Sequence, residues 1–130
     1  MHNRQLVIGD LGHAKELELY NLNQSDSKRT FGTNNYLAPE ANDIHKRSIK
    51  LDIWSFGCIV YELFTLEKLF SFRNPDKIRD SIRNFNIETD LKSNKIELMY
   101  IKILRKSLLQ DPKERFTAKQ LMNLLLDVFI

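Results

Sequence analysis

The chain holds one cysteine, Cys58. A lone thiol closes no disulfide and completes no cysteine metal site, so a disulfide framework is excluded and a reducing compartment fits. The histidines His2, His13 and His45 lack metal-ligand spacing and read as surface or loop residues. No apolar run reaches the roughly 20 residues of a membrane span. The start, Met1-His2-Asn3-Arg4-Gln5, has no signal-peptide apolar segment. The expectation is an intracellular protein, cytoplasmic by default, with no membrane contact. A dominant charge is lacking too: 20 Lys and Arg face 17 Asp and Glu, for a net charge of +3 and a pI near 9.0. The basic residues are scattered among acids, with no basic helix or nucleic-acid motif, so they read as a solvated surface and no nucleic acid is expected. Internal repeats, low-complexity segments and interdomain linkers are absent as well.

What is present suits one domain: 130 residues, 42% of them hydrophobic. The stretch Leu51 to Leu66 reads as a helix that is apolar almost all round, interrupted only by Asp52, Ser55, Glu62 and Thr65. A helix greasy on every side is buried or spans a membrane. This one is too short to span and carries two carboxylates, so it reads as a central core helix with others packed around it. Gly57, costly in a helix interior, suggests that another backbone comes close.

The rest reads in order. Gln5-Leu6-Val7-Ile8-Gly9 has strand character. Residues 13–37 look irregular, with a short helical turn expected from His13 to Tyr20. A loop of this length in a compact domain is usually functional or mobile. Pro39 suits the first turn of a short helix over about residues 39–43. Asn74-Pro75-Asp76 signals a helix start, and about ten helical residues should follow, through Ile78, Ile82 and Phe85. Asn94-Lys95-Ile96-Glu97 has a capping-box pattern ahead of a helix with Leu98, Ile101, Leu104, Leu108 and Leu109 at spacings of three and four. Asp111-Pro112 stops that helix. Thr117-Ala118-Lys119-Gln120 opens a last helix, with Leu121, Leu124, Leu125 and Val128 on one face. The expected fold is mainly α: a helical cluster around a central buried helix, with a small β element at the N-terminus.

Four segments in this order carry a resemblance. They are Asp10-Leu11-Gly12 after a strand, Gly32-Thr33-Asn34-Asn35-Tyr36-Leu37-Ala38-Pro39-Glu40, Asp52-Ile53-Trp54-Ser55-Phe56-Gly57, and Asp111-Pro112-Lys113-Glu114-Arg115-Phe116-Thr117-Ala118. Together they resemble the C-terminal lobe of eukaryotic protein kinases of the Ser/Thr type, over essentially the whole chain. Residues 1–130 are therefore expected to be a partial kinase domain from the Asp-Leu-Gly motif onward. The segment from Ile53 to Leu63 with Thr65-Leu66 is similar to the NimA-related kinases. Asp10-Leu11-Gly12 with Ala14 to Leu17 is similar to the I-kappa-B kinases, and Gly9 to His13 looks like the Wee-type group.

The resemblance implies roles. Asp10 matches the aspartate that holds Mg²⁺ against the ATP phosphates, and Gly12 lets the backbone turn beside it. Leu11 stands where phenylalanine is usual. Residues 13–37 match the activation loop, with Ser25, Ser27 and Thr30 as candidate phosphoacceptors; a phosphate there would add negative charge and order the loop against basic side chains. Gly32, Thr33 and Tyr36 match the substrate-docking segment, with Thr33 bonding to the catalytic loop. Glu40 and Arg115 match a buried ion pair that anchors the end of the loop. Asp52 matches the acid that accepts backbone N–H bonds from the catalytic loop, and it also suits the N-terminus of a helix. Trp54 reads as core.

The sequence contains no Gly-rich phosphate loop, no Val-Ala-Ile-Lys strand with its partner glutamate, and no His-Arg-Asp catalytic loop. Of the groups that phosphoryl transfer requires, only Asp10 is present. ATP and Mg²⁺ are the cofactors the resemblance implies, but this chain alone is expected neither to bind them nor to act. Two functions follow. One is part of a protein Ser/Thr kinase, with a protein substrate or the missing lobe as partner. The other is a non-catalytic remnant that binds a protein through its docking surface and an exposed helix face. A sizeable exposed apolar patch is expected on the isolated chain.

Overall fold

The computed structural model describes residues 6–14, 34–43, 45–91 and 98–129. They form five α-helices: α1 Lys50–Thr65, α2 Pro75–Asn84, α3 Ile87–Asp90, α4 Leu98–Ser107 and α5 Ala118–Phe129. Short 3-10 turns occur at Leu11–His13 and Asn34–Tyr36. No helix among the described residues is long and apolar enough to cross a membrane.

α1 is the organising element. It carries no proline and has Asp52 in its first turn, where an acid suits the helix dipole. It ends at Leu66, whose left-handed φ of 57° turns the chain away while its N–H still bonds the Glu62 carbonyl. Thr65 secures this exit: its Oγ1 donates to the Tyr61 carbonyl and accepts from the Glu67 N–H. Trp54, fully buried, is the centre of the main core. Its ring stacks on Phe70 at 6.0 Å and meets Phe85 edge-on at 6.1 Å. Cys58, Tyr61, Leu104 and Leu108 complete this cluster, and Ile53, Ile103 and Leu121 form a second one between α1, α4 and α5. Burial lifts the Cys58 thiol to a pKa of about 12, which keeps it protonated and inert.

Gly57 marks the contact of α1 with α4. A Cβ added there would stand 2.8 Å from Leu108 Cγ and 2.9 Å from Ser107 Cβ. The expected close approach exists, but the atoms that meet the glycine belong to side chains. The caps follow the sequence signals: Asn74 Oδ1 accepts from the Asp76 N–H at 2.8 Å ahead of α2. Thr117 and Gln120 exchange side-chain and backbone bonds at the start of α5.

Several expectations are corrected. Leu6 to Gly9 form no strand; Leu6, Val7 and Ile8 are 103%, 85% and 90% exposed. A lone extended segment leaves its N–H and C=O groups unpaired, and no described strand lies beside it to complete a ladder. Residues 39–43 make successive turns in place of a short helix, with Ala41 N–H bonding Ala38 and Asp43 N–H bonding Glu40. α4 ends at Ser107, before the Asp-Pro stop; of the expected stripe, Ile101, Leu104 and Leu108 are buried, and Leu98 is the exception. Leu98 is 71% exposed, whereas Ile103 is buried against α5's Leu121. The short helix α3, capped by Asn86, adds an element that the sequence pattern does not signal. The exposed apolar surface expected of the isolated chain lies on one side of α1, where Phe56, Ile59 and Leu63 are exposed. The capping pattern at Asn94, and the turn expected from His13 beyond Ala14, lie outside the described residues.

Candidate functional site

Residues 34–43 lie across α1 and are tied to it by polar side chains. Asn35 Nδ2 donates to the Phe70 carbonyl at 2.6 Å. Ser55 Oγ donates to the Tyr36 carbonyl at 2.8 Å, and Tyr36 Oη donates to Glu62 Oε2 at 2.6 Å. Ser55 and Glu62 are seven residues apart, two turns of α1, and therefore share one face. The hydrogen bond to Glu62, followed by burial and the carboxylate's charge, raises the Tyr36 pKa to about 12. The phenol stays neutral and keeps donating. Sequence reasoning found Tyr36 but not its partners. Their signal was present: Ser55 and Glu62 are two of the polar interruptions in an otherwise apolar helix.

The next anchor is Glu40. Arg115 grips its carboxylate with both terminal nitrogens, at 2.6 Å and 2.8 Å. Both side chains are buried. The fork geometry of arginine suits a bidentate carboxylate. The remaining guanidinium hydrogens are also used: Nε donates to Leu109 O at 2.7 Å, and the terminal nitrogens to Lys50 O and Gln110 O. The guanidinium lies 5.0 Å from the Trp54 ring, a cation–π contact. Lys50 Nζ completes the arrangement by donating to the Arg115 carbonyl. One pair thus joins the end of the loop, α1, the turn after α4 and the tryptophan of the core.

The remaining expected residues are not gathered with these. Asp10 is exposed, with a left-handed φ of 55° and no hydrogen bond to another described side chain. A Cβ on Gly12 would meet only Asp10 Oδ1, at 3.8 Å, so space does not demand glycine there. Asp52 is exposed in the first turn of α1, without a bonded partner among the described residues. Ser25, Ser27, Thr30, Gly32 and Thr33 lie outside the described residues. A divalent cation such as Mg²⁺ wants near-octahedral oxygen ligation. Asp10 offers one carboxylate, and no cluster of three metal-ligating side chains exists among the described residues. The described donor set does not by itself amount to a metal site.

The segment of residues 34–43 is thus held to α1 through Tyr36 and to the turn after α4 through Glu40. The protein kinase domain family matches residues 1–125, and the chain belongs to that family. It is similar to the serine/threonine-protein kinase Nek9 of mouse, 35% identical over 123 residues, which cover 92% of this chain and 12% of that protein. The Nek9 of Xenopus laevis is 34% identical over 118 residues, 91% of this chain and 12% of that protein. A probable serine/threonine-protein kinase nek2 of Dictyostelium discoideum is 30% identical over 124 residues, 93% of this chain and 28% of that protein. The chain thus spans between 12% and 28% of these relatives. Kinases of this family use ATP and Mg²⁺ in general.

Proposed function

We propose that these residues are the C-lobe portion, from the Asp-Leu-Gly motif onward, of a protein Ser/Thr kinase that transfers the γ-phosphoryl of ATP to protein Ser or Thr. The observation that carries this reading is the bidentate Glu40–Arg115 pair. It ties the Ala-Pro-Glu segment to the Asp-Pro-x-x-Arg segment 75 residues away. Relatives named as serine/threonine kinases favour the Ser/Thr class. In this reading the described helices are the platform. Tyr36 and its neighbours Gly32 and Thr33 dock the substrate, Asp52 receives the catalytic loop, and Asp10 contributes one metal ligand. Ser25, Ser27 and Thr30 are the places where a phosphate would order the loop.

Phosphoryl transfer also needs a base and phosphate-positioning groups. This sequence supplies no His-Arg-Asp motif and no Gly-rich loop. The chain alone is therefore inactive, and its partner is the remainder of a kinase domain, packed on the exposed apolar face of α1. The test is transfer of radiolabelled γ-phosphate to a mixed Ser/Thr protein substrate. The chain alone should give none; joined to the corresponding upstream part of a Nek relative, it should give transfer that Asp10→Ala abolishes. Activity of the chain alone, or of the joined protein with Asp10→Ala, would overturn the reading. A second reading, a non-catalytic binding module, draws on the same exposed face. It is favoured if the joined protein folds yet transfers nothing.

A further inference from the structure

Beyond the docked loop, the turns of residues 37–42 and α2 enclose a slot of about 140 Å³, walled by Leu37, Pro39, Pro75 and Ile82 with Arg79 and Arg83 beside them. It is roughly of the size that takes one benzene-sized group. A larger groove of about 1030 Å³ lies alongside, and the two share the wall residues Pro39, Asn42 and Arg83. The cations that looked scattered in the sequence meet here: Lys46, Arg47, Lys50, Arg83 and Lys113 line the groove. The acids in the same wall are Glu40, Asp43 and Asp111. Glu40 is already neutralised by buried Arg115, and Asp43 faces Lys46 at 3.5 Å. Arg47 and Lys50 are held by backbone carbonyls, of Ala41 and Arg115, which fix their place without cancelling their charge. Arg83 and Lys113 are exposed, and their side chains have no ion-pair partner among the described residues. The balance is positive, next to an apolar slot.

We propose that the slot and the groove together dock an acidic peptide segment carrying one apolar side chain, with the side chain in the slot and the carboxylates along Arg83, Lys113 and Arg47. Charge complementarity selects an acidic occupant, and the slot asks for an apolar anchor beside the acids. A nucleic acid would supply the charge but finds no platform among the described residues, since no described Phe, Tyr or Trp lines either part, whereas single strands bind by stacking bases on aromatic rings. The site is separate from Asp10 and does not rest on phosphoryl transfer.

The experiment uses the full chain and fluorescence anisotropy at low ionic strength. The probes are a fluorescein-labelled peptide of about ten residues, rich in Glu with a central Leu, its analogue with Ser for Leu, its Lys-for-Glu counterpart, and a labelled oligothymidylate of similar length. The acidic Leu peptide should bind. Replacing its Leu with Ser should weaken it about tenfold, and the Lys counterpart should not bind. Arg83→Glu and Lys113→Glu should each weaken it about tenfold, with unchanged circular dichroism, since both side chains are exposed. Ile59→Ser, on the apolar face of α1, should leave the affinity unchanged. No binding of the acidic peptide, equal binding of the oligothymidylate, indifference to the Leu, or indifference to both charge reversals would each overturn the proposal.

Discussion

Trp54 and Ile59 lie on one helix and are both large and apolar, yet Trp54 is fully buried and Ile59 is 48% exposed. The buried side of α1 presents Ile53, Trp54, Gly57, Cys58 and Tyr61 to α4, α5 and the phenylalanines Phe70 and Phe85. The other side presents Phe56, Ile59 and Leu63 at spacings of three and four, one turn of helix apart, to solvent. Composition does not distinguish the two sides. What distinguishes them is whether this chain's described residues supply a partner. Hydrophobic character reports the capacity to be buried, while burial depends on what arrives to cover it.

The largest expected effect tests the buried side through its ion pair. Glu40→Ala leaves the Arg115 guanidinium buried against Trp54 without its carboxylate. Removing one partner of a buried pair costs about 3–5 kcal/mol, a large part of a domain's stability. The variant should lose most of its thermal transition; a shift of only a degree or two would mean that the pair is solvated. Next comes Leu104→Ala in the main core, with an expected loss of about 2–5 kcal/mol by urea unfolding. Gly57→Ala should cost up to about 2 kcal/mol. Overpacking against Ser107 and buried Leu108 costs about 1–3 kcal/mol and outweighs the roughly 1 kcal/mol gained in helix propensity.

The exposed side should answer differently. Ile59→Ser and Leu63→Ser should change stability by no more than about 0.5 kcal/mol, while reducing binding of a hydrophobic dye. If either variant matched the loss of Leu104→Ala, α1 would be covered on both sides and the contrast would fail.

The same contrast explains how much could be read in advance. Elements with local signals were legible: Asn74-Pro75-Asp76 opens α2, Thr117 and Gln120 open α5, and the long apolar run is α1. The link from Glu40 to Arg115 was legible because the motifs carried it, not because anything local does. Features set by distant partners were not. Leu6 to Gly9 have the composition of a strand, but a strand is defined by its neighbour, and none is described. Leu98 fits the helical spacing of α4 yet points outward, and Ile103 was overlooked because it serves the second cluster, where Leu121 meets it. The groove of Arg47, Lys50, Arg83 and Lys113 gathers residues from three separate stretches of sequence, so no window of the chain could reveal it.

Tyr36 stands between the two sides of α1, partly buried and bonded to Glu62, and its effect is confined to high pH. Its pKa is raised to about 12 from an ordinary value of 10.0. The folded state therefore holds the proton more tightly than the unfolded chain. The stabilisation is complete below pH 10, where both states are protonated. It is lost as pH rises from about 10 to about 12, because the unfolded chain releases its proton first. Cys58, raised in the same direction, loses its contribution from pH 9 upward. The two separate by substitution: in Tyr36→Phe the part of the decline between pH 10 and 12 should disappear, while the Cys58 part should persist. Urea midpoints of both proteins across this range would show it. Parallel curves would mean that Glu62 does not hold the phenol in solution, and that the loop reaches α1 through Ser55 and Glu40 alone.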